Sequence, residues 1–475
     1  MSWLPVPPGH YFSINNIPFG IISTPSNTTP RPAVAIGEYV LDLHAFATSA
    51  RGFSHLPDFT QPEVLVSERT LNRFASLGRA THRLVRGYLQ EVLSIDTPYP
   101  ELLRDNPEAR KACLLLNSAE DGVRMHLPMD IGDYTDFYAG RNHAFNVGVL
   151  FRGRENALQP NYEHLPVGYH GRASSVVVSG TPVRRPRGQI IKSVEGGEKV
   201  PVLAESGKLD FELELAAFVG RGNELGSCVG VDEAGEYLFG VVVMNDWSGW
   251  FLTFFLFRGW LREGDGLIVR LCGLARDIQA WEYVPLGPFT SKSFATSISP
   301  WVVLMDALEP LRTRPLERGT KVPLLPYLQE ANSESVYDIP LTVSVKSNPP
   351  PPSSSQLFLA NEEPIAQSGT HKISQTSSSN LLFSFSQMIA HHTVTGCPLR
   401  TGDLLGTGTI SGVDTQSMGS LLEMSANGTK RVPLGDSGEF RGFLEDGDVV
   451  ILAGGCEKAG VGFGECVGEV LPAGK

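Results

Sequence analysis

Residues 208–220 read KLDFELELAAFVG, and their alternation of apolar and acidic side chains predicts a β-strand. Successive side chains of a strand point to opposite faces, so Phe211, Leu213 and Leu215 share one face while Glu212 and Glu214 share the other. Two carboxylates on one face repel each other. If solvent covers that face, the repulsion is small. If the face is enclosed, a hard cation such as Ca²⁺ or Mg²⁺ would compensate, because these ions bind carboxylate oxygens.

The composition of the whole chain also favours a β-rich fold. The chain has 475 residues, 41% hydrophobic and 19% charged, and its 50 glycines and 34 prolines favour turns and short strands. This length predicts about two domains. We expect residues 1–127 to form a small β-rich N-terminal domain and residues 128–475 a larger domain. Residues 348–379 are rich in Pro and Ser, which predicts mostly an exposed loop.

Charge and targeting signals argue against several classes of protein. A net charge of −12 disfavours a nucleic-acid partner, because phosphate binding needs clustered Lys and Arg. Six cysteines without framework spacing favour reduced thiols and a cytoplasmic protein. The N-terminus has no secretion signal, and no apolar run reaches the roughly 20 residues of a membrane span. One basic run lies on a predicted helix near 67–93, where we expect a solvated face: Arg69, Arg73, Arg79, Arg83 and Arg86.

Further polar residues could carry chemistry. Asp136 and His143 are seven residues apart and would share a face if their segment were helical. They could be an exposed Asp and a structural His, but a buried polar set would need partners. Asp136 could then be a third cation ligand and His143 a general base near neutral pH. Asp246 ends an apolar strand. The residues after it could form ordinary salt bridges or a site: Arg276, Gln279, Tyr283 and Lys292.

Taken together, these stretches resemble the fumarylacetoacetate hydrolase family. The resemblance is carried by DYTDFYAGRNHAFNVGVLFRG (133–153), DFELELAAFVG (210–220), MNDWS (244–248), AHHTVTGCPLRTGDLLGTGTISG (390–412) and GSLLEM (419–424), and it extends over nearly the whole chain. It implies a mainly β protein, with a small N-terminal SH3-like barrel and a larger C-terminal mixed β-sandwich roll, assembled as a homodimer. It also implies metal-dependent hydrolysis of a carbon–carbon bond in 4-fumarylacetoacetate to fumarate and acetoacetate, the last step of tyrosine and phenylalanine catabolism.

The same resemblance implies roles for individual residues. The ligands of Ca²⁺ or Mg²⁺ would be Asp136, Glu212, Glu214 and Asp246. Lys292 and Thr296 match positions linked with Mg²⁺, but a protonated Lys cannot be a ligand, so we expect Lys292 to counter anionic charge. His143 would be the catalytic base and Glu423 would fix its tautomer. Donors to the developing oxyanion would be Arg276, Gln279 and Lys292. Substrate contacts would be Tyr138, Arg152, Tyr169, Gln279, Tyr283 and Thr409.

Residues 249–274 interrupt this pattern. Without them, MNDWS would continue directly into ARDIQAWEYVPLGPF, as the family pattern would have it. Most of the block is apolar, and an exposed patch of that size promotes aggregation unless a partner covers it. It is either a genuine surface insertion or a short intron read through in the gene model. We expect the 475-residue product to be poorly soluble or weakly active and a chain without 249–274 to be active.

Other functions stay open at this point. An acylpyruvate hydrolase or an oxo-acid decarboxylase of the same superfamily would share the Glu-x-Glu and Asp ligands, although the N-terminal domain and the pair of His143 and Glu423 favour fumarylacetoacetate hydrolysis. A product inactivated by 249–274 would be a non-catalytic β-rich binding protein. A paired-carboxylate glycosidase fits less well, because neighbours on one strand face point to joint ligation of an ion.

Overall fold

The computed structural model describes residues 1–116, 122–193, 198–248, 277–282, 287–347, 369–435 and 437–474. The block 249–274, Arg276 and Tyr283 therefore lie outside the described residues, as does the side chain of Gln279. The prediction of a mainly β protein, with a small N-terminal β unit and a larger C-terminal curled sheet, is confirmed. Within the described residues, no helix combines the length and the apolar character needed to cross a membrane.

The N-terminal part is a five-stranded antiparallel sheet with helices packed on it. The strands have the order β4-β3-β2-β1-β5. Their bounds are β1 Phe19–Thr24, β2 Asn27–Ile36, β3 Tyr39–Asp42, β4 Leu114–Leu116 and β5 Arg124–His126. The helices are α1 Leu43–Ser49, α2 Glu63–Val66, α3 Asn72–Ser76, α4 Arg79–Leu93 and α5 Pro107–Cys113.

The helix expected near 67–93 is divided in two. Gly78, between α3 and α4, has φ +84°, a backbone conformation that ends a right-handed helix. The prediction that the arginines of this region form a solvated face is also only partly correct. Arg79 is almost buried and donates to Asp306 at 3.1 Å and Glu309 at 2.6 Å. Arg86 donates to the carbonyl oxygen of Asn16 at 3.0 Å. Arg79 and Arg86 therefore connect α4 to other parts of the chain. Arg83 is exposed but also donates to Asp306, at 2.8 Å, and Arg69 and Arg73 are exposed.

The C-terminal part contains the remaining strands and helices. The strands are β6 Tyr134–Phe137, β7 Gly168–His170, β8 Val176–Val178, β9 Val183–Arg184, β10 Arg187–Ser193, β11 Lys199–Glu205, β12 Leu213–Val219, β13 Leu238–Asp246, β14 Thr296–Ile298, β15 Val303–Leu304, β16 Arg312–Thr313, β17 Val336–Tyr337, β18 Pro340–Lys346, β19 Thr370–Ser377, β20 Leu404–Gly406, β21 Val432–Pro433, β22 Phe440–Arg441, β23 Val449–Cys456 and β24 Val461–Leu471. The helices are α6 Arg141–Arg152, α7 Asp277–Glu282, α8 Met305–Leu308, α9 Phe385–Thr393 and α10 Leu421–Met424.

Two larger sheets organise these strands. The main sheet has the order β7-β6-β20-β12-β13-β14-β8, with β15 also beside β13, and the second has the order β19-β18-β23-β24-β9. Because β19 covers 370–377, the prediction of an exposed loop over 348–379 is wrong for that part, and 348–368 lie outside the described residues. Three two-stranded ribbons complete the described strands.

The two faces of strand β12 have different neighbours. Leu213 and Leu215 belong to an apolar cluster shared with β18, β23 and β24 of the second sheet. The opposite face carries Phe218, which packs in a second cluster with the N-terminal strands and helices. Further along that same face the apolar residues give way to Glu214 and Glu212. Glu212 and Glu214 therefore lie next to the apolar contact between the N-terminal and C-terminal parts of the chain.

Candidate active site

Four acidic side chains meet at the end of the main sheet. Asp136 lies on β6, Glu214 on β12 with Glu212 just before it, and Asp246 ends β13. Each offers a carboxylate oxygen within 4.8 Å of the others, and all four residues are buried. Since β6, β20, β12 and β13 are consecutive in the sheet, side chains on one face come together there. The solvent-facing alternative for Glu212 and Glu214 is therefore wrong, and the enclosed one is correct.

Polar neighbours surround this acidic cluster. The Lys292 ammonium donates to Glu212 Oε2 at 2.6 Å and also to Asp246 Oδ2. Thr296 Oγ1 donates to the other oxygen of Asp246 at 3.0 Å, and Tyr169 donates its hydroxyl hydrogen to Oδ2 at 2.8 Å. Lys292 thus lies against two of the four carboxylates, where its positive charge reduces their mutual repulsion.

The turn after β20 completes the cluster from its other side. The N–H of Gly408 donates to Asp136 Oδ1 and to Glu214 Oε2, both at 3.1 Å. Gly408 has φ +74°, and a Cβ there would lie 2.3 Å from the carbonyl oxygen of Phe137. A Cβ on Gly406 would lie 2.6 Å from Asp136 Oδ1. Both positions therefore require glycine for the backbone to approach the carboxylates.

Burial and mutual repulsion change the protonation of the acidic side chains. Burial raises the pKa of Asp136 and of Glu214 well above the usual values, and the neighbouring carboxylates add to that effect. Burial also raises the pKa of Asp246, although the Lys292 ammonium opposes it. Burial acts to lower the pKa of Lys292, but the carboxylates outweigh it and the pKa is raised. The cluster as a whole therefore favours additional positive charge.

The donor set fits a hard divalent cation. All four groups offer carboxylate oxygens, the ligands that Ca²⁺ and Mg²⁺ prefer. Glu214 Oε1 is buried and has no hydrogen-bond partner among the described residues. A buried carboxylate oxygen without a donor is costly, and a cation would satisfy it. Four carboxylates with one ammonium also leave an excess of negative charge that a divalent ion would offset.

A buried histidine–carboxylate pair forms the second part of the site. His143 lies in the first turn of α6 and Glu423 on the short helix α10, and both side chains are inaccessible to solvent. His143 Nδ1 is 2.5 Å from Glu423 Oε2. An ionised carboxylate only accepts, so Nδ1 carries the hydrogen and donates it, which leaves the lone pair of the neutral ring on Nε2. This is the tautomer that a general base at Nε2 requires.

Three further donors hold Glu423 in place. Ser411 Oγ donates to Glu423 Oε2 at 2.8 Å and Ser420 Oγ to the same atom at 3.1 Å. Asn146 Nδ2 donates to Oε1 at 2.9 Å. Burial acts to raise the pKa of Glu423, but His143 and these donors outweigh it, so the pKa is lowered. Glu423 is therefore kept as a carboxylate despite its burial.

Sequence reasoning did not identify these three donors. Two of them had a local signal. Asn146 is three residues after His143 and so lies on the same helix face, and Ser420 with Glu423 forms the Ser-x-x-Glu pattern of a helix N-terminus. Ser411 had none, because its partner is distant in sequence and only the tertiary structure brings them together.

The acidic cluster and the His143 pair belong to one site. Gly408, which contacts two carboxylates of the cluster, and Ser411, which contacts Glu423, are three positions apart, so at most about 11 Å of chain separates them. Tyr138 lies between the two groups: its ring packs edge-on against His143 at 5.5 Å. Burial raises its pKa, and the charges of Glu423 and Glu212 contribute.

The structure separates Asp136 and His143 into different elements. Asp136 lies on strand β6 and His143 on helix α6, and Tyr138, Ala139 and Gly140 connect the two elements. The single helix considered from their spacing is therefore wrong. The two residues still serve one site, because the chain passes from strand to helix at Gly140, where the carbonyl oxygen of Thr409 leaves no space for a Cβ.

Only some of the residues expected to contact the substrate lie at the site within the described part of the chain. Tyr138, Tyr169 and Thr409 lie at the site, and Thr409 Oγ1 is buried without a hydrogen-bond partner among the described residues. Arg152 ends α6, and its guanidinium donates to the carbonyl oxygens of Asn156, at 2.8 Å, and Ala157. Arg276 and Tyr283 lie outside the described residues. Gln279 lies on helix α7, but its side chain is outside the description.

A buried cluster of carboxylates that could hold a cation, beside an oriented histidine, is typical of hydrolases that activate water. Comparisons with known proteins identify the family. The model of the fumarylacetoacetate hydrolase C-terminal domain matches residues 134–470, and that of the fumarylacetoacetase N-terminal domain matches residues 15–128. The chain belongs to the fumarylacetoacetate hydrolase family.

Curated relatives cover almost the whole chain. A fumarylacetoacetase of Aspergillus fumigatus is 54% identical over 99% of this chain and 98% of its own. The fumarylacetoacetase of Emericella nidulans is 53% identical over the same shares. That of Rattus norvegicus is 44% identical over 100% of this chain and 99% of its own. The similarity therefore includes both the N-terminal part and the part that contains the site.

Proposed function

We propose that this protein hydrolyses 4-fumarylacetoacetate to fumarate and acetoacetate, the reaction that its relatives' names describe, as the last step of tyrosine and phenylalanine catabolism. The observation that carries the proposal is the buried pair of His143 and Glu423, 2.5 Å apart, beside four clustered carboxylates. Hydrolysis of this bond needs water to be deprotonated, an oxyanion to be held and a carbanion to leave, and the site has groups suited to each requirement.

His143 is the proposed general base. Its Nε2 lone pair takes a proton from water while Glu423 stabilises the imidazolium that forms. The water oxygen forms a bond to a substrate carbonyl carbon, and the carbon–carbon bond to the acetoacetate part then breaks with its electron pair on that part. The imidazolium returns the proton to this leaving group, so protons and electrons balance. Lys292, Arg276 and Gln279 are the proposed donors to the negative oxygen.

Asp136, Glu212, Glu214 and Asp246 are the proposed ligands of Ca²⁺ or Mg²⁺, with Lys292 and Thr296 beside them. When bound, such a cation supplies Lewis-acid polarisation of a carbonyl and stabilisation of charge on oxygen. Tyr138, Arg152, Tyr169, Gln279, Tyr283 and Thr409 are the proposed substrate contacts. Among these, Tyr138, Arg152 and Thr409 can donate to the substrate's terminal carboxylates.

The experiment that tests this function is turnover under defined cation conditions. We expect the diketone absorbance of fumarylacetoacetate to fall on addition of enzyme with Ca²⁺ or Mg²⁺, and the loss to stop with excess chelator. Acylpyruvates and oxo-acids serve as comparison substrates. Faster turnover of either comparison substrate would replace the proposed function with that of a related hydrolase or decarboxylase.

The block 249–274 is tested in the same assay. It stands between Asp246 and Arg276, which should meet at one site, and a misplacement of about 1 Å can cost about 10²-fold in rate. We propose that a chain lacking 249–274 is more soluble and more active than the full chain. Equal turnover and solubility of the two would contradict this, and sequencing the mature transcript shows whether these codons are retained.

The proposed form of the protein is a cytoplasmic homodimer, with domains at 1–127 and 128–475. Light scattering coupled to size-exclusion chromatography measures the mass of the particle and so tests whether the protein is a dimer. Expression of residues 128–475 alone tests the domain division. The apolar cluster shared by the two parts supports the expectation that the larger domain loses solubility without the smaller one.

A further inference from the structure

Asp210 is a fully buried carboxylate that the proposed reaction does not use. Its Oδ1 accepts the backbone N–H of Leu421 and its Oδ2 that of Leu422, both at 2.8 Å. These are the first two residues of α10, the helix that carries Glu423. Asp210 also lies two residues before Glu212. One carboxylate thus connects the segment that carries the acidic cluster to the helix that carries the partner of His143.

The backbone of Asp210 makes a second connection. Its N–H donates to the carbonyl oxygen of Ser248 at 3.0 Å, and the N–H of Ser248 donates back at 3.1 Å. Ser248 lies two residues beyond Asp246, so this pair extends the contact between the strands of Glu212 and Asp246. Asp210 therefore joins its own segment to two others, and each of the three carries a different part of the candidate site.

Lys208 holds the other end of the same helix. Its ammonium donates to Asn427 Oδ1 at 3.1 Å. Asn427 belongs to a turn of three consecutive residues with positive φ, in which Ala426 has 47°, Asn427 has 61° and Gly428 has 79°. L-residues with side chains rarely adopt this conformation, and it persists where surrounding contacts impose it. Asp210 therefore contacts the first turn of α10, and Lys208 contacts the turn that follows the helix.

A helix as short as α10 cannot fix its own position. Four residues are far below the length at which a helix is stable alone, so its neighbours determine where it lies. The distance from Glu423 to His143 Nδ1 then depends on those neighbours. Among them Asp210 is distinctive, because its two oxygens each accept a backbone N–H of the helix.

We propose that Asp210 is a positioning residue, which sets helix α10 against the acidic segment and acts on the reaction only through Glu423. The inference rests on the proposed function for its effect on turnover. Its structural content is independent of that function, because the hydrogen bond between His143 and Glu423 can be observed directly.

The test uses Asp210→Asn in the full chain. The amide keeps the shape but must direct an NH₂ group at one of the two N–H groups of α10, which places a donor against a donor. We expect kcat to fall by about 10- to 100-fold, because catalysis is sensitive to small displacements, while KM changes by less than about threefold. Calorimetry with Ca²⁺ should give an unchanged affinity.

A double-mutant cycle with Glu423→Gln separates positioning from general damage. If Asp210 acts through Glu423, then Asp210→Asn costs less than about twofold in the Glu423→Gln background. Asp42→Asn is the control: Asp42 is also buried and also accepts an N–H at the start of a helix, but it lies in the N-terminal sheet, where its other oxygen pairs with Arg31 at 2.6 Å. Its effect should be the same in both backgrounds. An equal loss from Asp210→Asn in both backgrounds would overturn the proposal.

A readout without substrate distinguishes this inference from the proposed function. The short hydrogen bond of His143 should give a downfield proton resonance, which Glu423→Gln should remove. Asp210→Asn should shift or broaden it and Asp42→Asn should not; an unchanged resonance in Asp210→Asn would refute the positioning role. If Asp210→Asn changes the resonance in a protein that does not turn over fumarylacetoacetate, the positioning role holds and only the proposed function is wrong. If Asp210→Asn does not fold, Lys208→Met, which releases the other end of α10, replaces it in every measurement.

Discussion

Glu214→Gln is expected to stabilise the protein when divalent cations are removed. Glu214 is fully buried, and its carboxylate lies within 4.8 Å of three others. At that distance each pair of ionised carboxylates repels by about 3 kcal/mol for an effective dielectric constant near 20. Glutamine removes one charge and can donate a hydrogen bond to its neighbour Asp136. It therefore removes the desolvation cost of one buried charge as well as its repulsion by the other carboxylates.

The net effect is smaller than the sum of these repulsions. The Lys292 ammonium attracts the same carboxylates, and the raised pKa of Glu214 favours its neutral form. We expect a gain of about 1–3 kcal/mol, which in a protein of this size raises Tm by a few degrees. With Ca²⁺ at about 1,000 times Kd, the unsubstituted protein gains about 4.1 kcal/mol that the variant lacks. The order of the two Tm values should then reverse.

Thermal unfolding measured at pH 7.5, first with a chelator and then with Ca²⁺ or Mg²⁺, gives both comparisons. Glu330→Gln is the matched control, because Glu330 is also largely buried with a raised pKa but accepts from Ser384, away from the cluster. Its Tm should respond to cations as the unsubstituted protein does. If the chelator leaves Tm unchanged, and Glu214→Gln is the less stable protein in its presence, then the four carboxylates are not a cation site.

Three further outcomes are expected. Glu423→Gln should lower kcat by about 10²- to 10⁴-fold with Ca²⁺ affinity unchanged by calorimetry, because His143 then loses the acceptor that fixes its tautomer; a loss below threefold would contradict this. His82 is buried and its pKa is lowered to about 4, from 6.5, chiefly by desolvation. Between pH 6.5 and 4 the His82 imidazole gains a proton in the unfolded chain but not in the folded one. Urea unfolding should therefore show about 3 kcal/mol of stability lost over this range, and a smaller loss in His82→Gln. Arg79→Met should destabilise by about 1–3 kcal/mol, since it leaves the largely buried Asp306 with less compensation, whereas Arg69→Met should have little effect.

The sequence predicted the components of the site well where a local period or a motif was present. Alternation over 208–220 placed Glu212 and Glu214 on one face, and the resemblance identified Asp136, Asp246 and His143 as their companions. The structure brings these residues together. It also corrects the hypothesis that Asp136 and His143 lie on one helix. Neither propensity nor spacing revealed that the chain passes from a strand to a helix at Gly140.

Residues whose role depends on long-range contacts were not predicted. Ser411 and Asp210 had no recognisable signal, because each is defined by a partner far away in the sequence. The basic helix illustrates the same limit. Its spacing correctly predicted exposure for Arg69, Arg73 and Arg83, but Arg79 is buried against acidic groups contributed by residues more than two hundred positions later.

The sequence by itself determined which side chains share a strand face, since the period of a strand is a local property of the backbone. Whether that face meets water or protein is a property of the assembled chain, and only the tertiary structure decided it. The N-terminal helices cover the apolar end of the face, and the turn at Gly408 closes its acidic end. Burial of those carboxylates, and with it their need for a cation, arises from contacts between segments that no local pattern encodes.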